Sequence, residues 1–120
     1  MNHAIAGRRY LVLLLLIFIP LISQSKTMEI ENGMSLEKAR KLLIKDKWRP
    51  VNVHVRDQYE YFGVEKELVE RKIYEVEGCA MDKPLCIFHY KKADKCLRVI
   101  TYGEQIKDMK IDHWTNACPD

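Results

Sequence analysis

Apolar positions fall into separate clusters along this chain, and each cluster has its own spacing. Leu11 to Ile22 is a continuous apolar run broken by Pro20. Leu36, Ala39, Leu42 and Leu43 recur at helical spacing, with Lys38, Lys41 and Lys45 on other faces. Val51, Val53 and Val55 alternate with Asn52, His54 and Arg56, which predicts a half-buried strand. Val64 and Leu68 mark the inward side of a short second helix, Val64 to Arg71. Three further strands are expected, at Leu85–Lys91, Cys96–Tyr102 and Ile106–Trp114. In the middle one Leu97, Val99 and Thr101 face one side, while Arg98, Ile100 and Tyr102 face the other.

Local signals sharpen the elements. Ser35 can cap a helix over Leu36–Asp46, which holds no Gly or Pro, and Met34 with Ala39 can form a hydrophobic staple. Glu37 and Lys41 are an i,i+4 pair worth roughly 0.2–0.5 kcal/mol. Asp57–Gly63 reads as a loop carrying Tyr59, Tyr61 and Phe62. Lys92–Lys95 and Gly103–Gln105 read as turns, so the last three strands form an antiparallel meander. Lys26–Glu31 is a lead-in or an edge strand. The expected fold class is α+β, with two helices packed on a four-stranded, mainly antiparallel sheet.

The first apolar run changes how everything after it is read. Arg8 and Arg9 precede it, and Ser23, Gln24 and Ser25 follow. A charged start, a short apolar core and a small-residue exit describe a secretory signal peptide. Leu11–Ile22 spans about 18 Å as a helix, short of the roughly 20 residues that cross a bilayer. The expected organisation is a cleaved segment at 1–25, cut after Ser25, and one small domain at 26–120. The product does not span the membrane after processing. The first cysteine is Cys79, so no lipid-anchoring thiol stands at the exit. The leucine-dense core suggests a bacterial signal and a periplasmic or secreted protein.

Removing 1–25 takes away two arginines and no acid, leaving 18 Lys/Arg, 17 Asp/Glu and a formal charge of +1. A near-neutral surface of mixed charge has no electrostatic footprint for nucleic acid. Lys91, Lys92 and Lys95, interrupted by Asp94, read as a solvated hairpin tip. In an oxidising compartment Cys79, Cys86, Cys96 and Cys118 imply two disulfides that reinforce a small core. Their spacings lack the close pairs of a metal site, and no metal or cofactor is expected. Placing Lys91 opposite Cys96 sets Cys86 opposite Thr101. Cys86 and Cys96 are then about 17 Å apart, beyond disulfide reach. Pairing Tyr102 with Ile106 would bring Asp112 beside Cys96 and let Cys118 fold back onto it. The expected bonds are Cys79–Cys86 and Cys96–Cys118.

Candidate chemistry is sparse. His54 stands near Asp57 and could be oriented as a general base, while His89 and His113 alternate with aromatics as sheet residues do. No P-loop, H-E-x-x-H, G-x-S-x-G or dinucleotide fingerprint occurs, and no catalytic residue is assigned. Tyr59, Tyr61 and Phe62 sit among polar loop residues, where rigid aromatic rings favour partner contact.

One resemblance begins at the first helix. Gly33-Met34-Ser35-Leu36-Glu37-Lys38-Ala39-Arg40, then Leu42-Leu43 and Trp48-Arg49-Pro50-Val51, resembles the helical half of a PASTA domain. It covers residues 33–51 and implies an extracytoplasmic module that binds peptidoglycan. The whole chain also resembles small, uncharacterised, disulfide-containing exported bacterial proteins, a likeness that supplies no activity. The leading expectation is a non-enzymatic binding module that meets a protein of the cell envelope, immunity- or inhibitor-like. A cell-wall module is the alternative, and a small hydrolase using His54 or His89 stands third.

Overall fold

The computed structural model describes residues 28–120. The signal segment expected at 1–25, with its cut after Ser25, lies outside the described residues. Helix α1 (Leu36–Lys45) starts where Ser35 Oγ accepts the Lys38 N–H at 3.2 Å. It buries Leu36, Ala39 and Leu43, and it ends before Lys47, whose φ of 72° no α-helix continues. Strand β1 follows and is only Arg49–Pro50. Helix α2 (Val64–Glu70) buries Leu68. Then come β2 (Val76–Cys79), β3 (Leu85–Lys92), β4 (Lys95–Tyr102), a 3₁₀ turn (Ile106–Asp108) and β5 (Lys110–Thr115).

The fold is α+β, but its antiparallel sheet has five strands rather than the expected four. Along one edge of β3 run both β1 and β2, placed end to end. They abut at His89, whose carbonyl accepts from Val51 N at 2.9 Å and whose N–H donates to the Glu75 carbonyl at 3.0 Å. The β3–β4 hairpin has Lys91 opposite Cys96 and Cys86 opposite Thr101, as its alternation requires. Ala93, at φ 53°, lies in the two-residue turn.

Two strand expectations need correction. Val51–Arg56 is not a strand, for reasons given with the site below. The last strand begins at Lys110, not Ile106, because Ile106–Asp108 curls back against Gly103. Tyr102 therefore faces Lys110, and Asp112 does not lie beside Cys96. Thr115 already stands opposite Arg98, and Cys118 reaches Cys96 past the strand end.

The structure joins Cys79 to Cys86 and Cys96 to Cys118, with Cα separations of 4.0 and 5.0 Å. The second bond closes the longer loop and constrains the unfolded chain by about 3 kcal/mol on chain-entropy grounds. The outer edge of β5 is covered by the lead-in. Gly33 N donates to Ile111 O at 2.7 Å, and Ile111 N returns a bond to Met34 O at 2.7 Å. That cover leaves no free template for another strand at this position. Among the described residues no helix is long and apolar enough to cross a membrane.

The core gathers Leu36, Ala39 and Leu43 of α1, Leu68 of α2, and Phe88, Tyr90, Leu97 and Val99 of the sheet. One carboxylate lies inside it. Glu75 is fully buried and accepts from Arg40 Nε at 2.6 Å and from Tyr90 O–H at 2.8 Å. Burial, then the neighbouring negative charge, pushes the Tyr90 phenol well above its ordinary value, so it stays a donor. Arg40 loses some charge preference to burial, but the Glu75 hydrogen bond and charge more than restore it. Removing one partner of such a pair strands the other charge. Arg40→Met should therefore destabilise the protein by about 3 kcal/mol in urea unfolding, and Arg40→Met/Glu75→Met should recover part of that loss. Gly103 has φ 134°, and a Cβ there would stand 2.5 Å from Asp108 O. Gly103→Ala should lower stability by about 1–3 kcal/mol in the same assay, because backbone rather than a flexible side chain has to yield.

Candidate functional site

Between β1 and α2 the chain forms a strap, residues 51–63, beside β2. Valine alternation predicts a strand at its start, but side chains compete for the backbone. Asn52 Oδ1 takes the His54 N–H at 2.9 Å, and Asp57 Oδ1 takes the Tyr59 N–H at 3.1 Å. Both are turns closed by an Asx side chain two residues back. Gln58 accordingly has φ 56°. Val55 is left 74% exposed, which a half-buried strand would not allow.

His54 is the clasp of the strap. Its Nδ1 lies 2.8 Å from Asp57 Oδ2, and its Nε2 meets the Glu77 carbonyl on β2. A carbonyl and an ionised carboxylate can only accept, so both ring nitrogens must donate. Burial alone would lower the His54 pKa, but the Asp57 and Glu77 hydrogen bonds and their charge raise it above its ordinary 6.5. Asp57 is held below 3.8, chiefly by the hydrogen bond from His54. While protonated, His54 donates from both ring nitrogens and has no lone pair with which to take a proton from a substrate.

Tyr59 stacks on His54 with ring centroids 3.9 Å apart, and Tyr61 meets both rings edge-on at 5.6 and 5.1 Å. The Tyr59 hydroxyl donates to Glu65, which is 4% exposed and also accepts from Phe62 N at 3.2 Å and Cys79 N at 2.6 Å. Burial and then the Glu65 interaction raise the Tyr59 pKa. Burial, with the Asp57 and Glu65 charges, raises that of Tyr61. Of the three aromatic candidates, Tyr59 and Tyr61 are thus brought together around His54. Phe62 stands apart and 63% exposed.

Beside the strap, the sheet face opposite the core forms a groove of about 600 Å³. Leu85, Ile87 and Ile100 give it an apolar floor, and His54, Tyr59, Arg98 and His113 line it. Cys79 also lines this groove, whereas Cys96 and Cys118 do not. His89, two positions along β3 from Ile87, is buried, with Nε2 2.9 Å from Glu77 Oε1 and no partner for Nδ1 among the described residues. His54 and His89 meet at Glu77, on its carbonyl and its carboxylate, whereas His113 Nδ1 bonds its neighbour Asp112 at 2.6 Å. Among the described residues no group of three or more His, Cys, Asp or Glu is placed to hold a metal ion.

Sequence reasoning singled out neither Glu65 nor Glu77. A local signal existed for Glu65. It lies three residues after Phe62 at the start of α2, where a carboxylate can reach back to a free amide. Glu77 carried none, because its partners His54 and His89 are fixed only by the folded sheet.

The clasp sets a pH window. His54 gains proton affinity on folding, so its contribution is complete below about 6.5 and is lost as pH rises through the higher folded value. Asp57 contributes above about 3.8 and is lost as pH falls through its lowered value. The stability difference between the wild type and His54→Gln should be largest between these limits and should shrink at alkaline pH. NMR titration of the His54 ring should give a midpoint above 6.5 that moves down in Asp57→Asn.

Comparison with protein-family models, curated proteins and solved structures finds no match to this chain.

Proposed function

We propose that this protein is an exported, non-enzymatic binding module that engages a protein of the cell envelope through the aromatic strap, in the manner of an immunity protein or inhibitor. The observation that carries this reading is how firmly the strap is fastened. His54 ties it to Asp57 and Glu77, and Glu65 ties Tyr59 and Phe62 to β2. A loop held in this way has already lost its conformational freedom before a partner arrives, which removes a main cost of association. Next to the fastened rings, Phe62 and Val55 present apolar side chains that are 63% and 74% exposed. Exposed aromatic and aliphatic groups on a rigid base are what a contact surface needs.

Export is supported by the signal-like pattern at 1–25 and by two disulfides, which persist in oxidising compartments. The non-enzymatic reading is supported by the donor-only state of His54 and by the scatter of the other histidines.

The test is photo-crosslinking in the native envelope. Benzoylphenylalanine placed at Val55 or Phe62 should capture one and the same protein, and at Ile44 on α1 should not. An adduct on peptidoglycan instead would favour the cell-wall module. No shared adduct, or equal capture from Ile44, would sink the proposal. With the captured partner in hand, Phe62→Ala should weaken binding by about 2 kcal/mol, roughly thirtyfold.

A further inference from the structure

We propose that the groove on the open sheet face is a binding site for a small amphipathic carboxylate, with Arg98 as the anchor for the acid group and Leu85, Ile87 and Ile100 as the bed for its apolar body. The strap lends this site His54 and Tyr59 as a wall, but the proposal does not need the protein-contact reading.

Arg98 is the starting observation. Among the described Lys and Arg side chains only Arg40, Lys92 and Arg98 are half-buried, and the rest are exposed. Arg40 has Glu75 at 2.6 Å, and Lys92 has Asp46 at 3.3 Å. Arg98 has no carboxylate within ion-pair distance and makes no side-chain hydrogen bond among the described residues. A cation taken partly out of water is normally compensated by an acceptor. Here the compensation is missing at a residue that lines the groove over the open sheet face.

The surroundings choose the ligand. Glu77 is the one acidic residue in the lining, and its Oε1 is turned to His89 Nε2 at 2.9 Å rather than to Arg98. His54 and His113 line the same groove but each has its own carboxylate partner, Asp57 and Asp112, which leaves Arg98 as the unpaired cation of the lining. A single guanidinium offers a planar fork that matches a carboxylate at two points. The lining holds no lysine and no second arginine to balance a phosphate dianion. A fully hydrated anion would leave Leu85, Ile87 and Ile100 unused, whereas an alkyl chain or ring attached to the acid would cover them. At about 600 Å³ the groove is in the size range of small-molecule sites, which combine apolar walls with a few polar groups in this way.

The probe is octanoate, compared with 1-octanol and octylammonium, which share its chain but not its charge. Amide spectra of isotope-labelled full-length protein should show saturable shifts at Ile87, Arg98 and Ile100 with octanoate. A ligand of this size supports a Kd of about 1 mM. Octanoate should bind about tenfold more tightly than 1-octanol, and octylammonium should bind weakest. Arg98→Gln should abolish the preference for octanoate and leave 1-octanol binding unchanged. Because the Arg98 side chain makes no hydrogen bond among the described residues, and the substitution keeps the backbone pairing of β4, the variant should give a folded spectrum. Should it fail to fold, the comparison of the three probes on the wild type still decides. Equal binding of octanoate and 1-octanol would overturn the proposal. So would octanoate shifts centred away from the groove, or no saturation by about 10 mM. A positive result here with no crosslinked protein at Val55 or Phe62 would leave this site standing and remove the protein-contact reading.

Discussion

Glu75 and Glu65 grip β2 from its two ends, and the site depends on where β2 is held. Glu75 immediately precedes the strand and ties it through Arg40 to α1 and through Tyr90 to β3. Glu65 accepts the Cys79 N–H at the far end and ties the strand to α2 and the strap. β2 is short and irregular, with a register shift between Val76 and Gly78, so its ladder to β3 is too broken to fix it alone. Burying two carboxylates is costly in itself. Each is offset because several donors converge on it, and those donors come from different segments of the chain. Specific geometry, more than net stability, is what such groups supply.

The consequence for the strap is that its polar and aromatic features act together. His54 hangs on a β2 carbonyl, Tyr59 stacks on His54, and Tyr59 in turn reaches Glu65. Gly78 leaves room for this arrangement, since a Cβ there would stand 3.3 Å from both Glu65 Oε2 and the Tyr59 hydroxyl. The strap thus forms one wall of the groove, while the sheet supplies the floor. Two surfaces with different chemistry, one aromatic and projecting, one concave with a lone guanidinium, meet at Tyr59.

How far the sequence anticipates this depends on the range of the forces involved. Helix α1 was legible because its cap, its apolar spacing and its stop are all local. The β3–β4 hairpin was legible because alternation in both arms and a two-residue turn leave one register. The first half of the strap, Val51–Arg56, departs from its pattern because Val51, Val53 and Val55 imitate a strand while Asn52 and Asp57 bend the backbone from the side, whereas Asp57–Gly63 is the loop that its composition predicts. β2 was missed because Val-Glu-Gly-Cys is too short and too polar to show a period. The late start of β5 follows from the close packing of Gly103 on Asp108, which no pattern reveals. Glu75, Glu77 and Arg98 carry no local signal, since their roles depend on partners, or the lack of them, across the fold.

The meeting of β1 and β2 at His89 has an implication for variation. Val51 and Glu75 bond to the two sides of the same residue, so everything from Asn52 to Tyr74 leaves the sheet and returns to it at one point. The ends of that excursion stay together whatever its contour length. Closure cost grows only slowly with the number of residues enclosed. The exposed part of the excursion can therefore lengthen or change while the ladder between β3 and β4 stands, provided that Glu65 and the core residue Leu68 keep their places. The frame and the recognition segment are separable in inheritance, much as a handle is separable from the blades fitted to it.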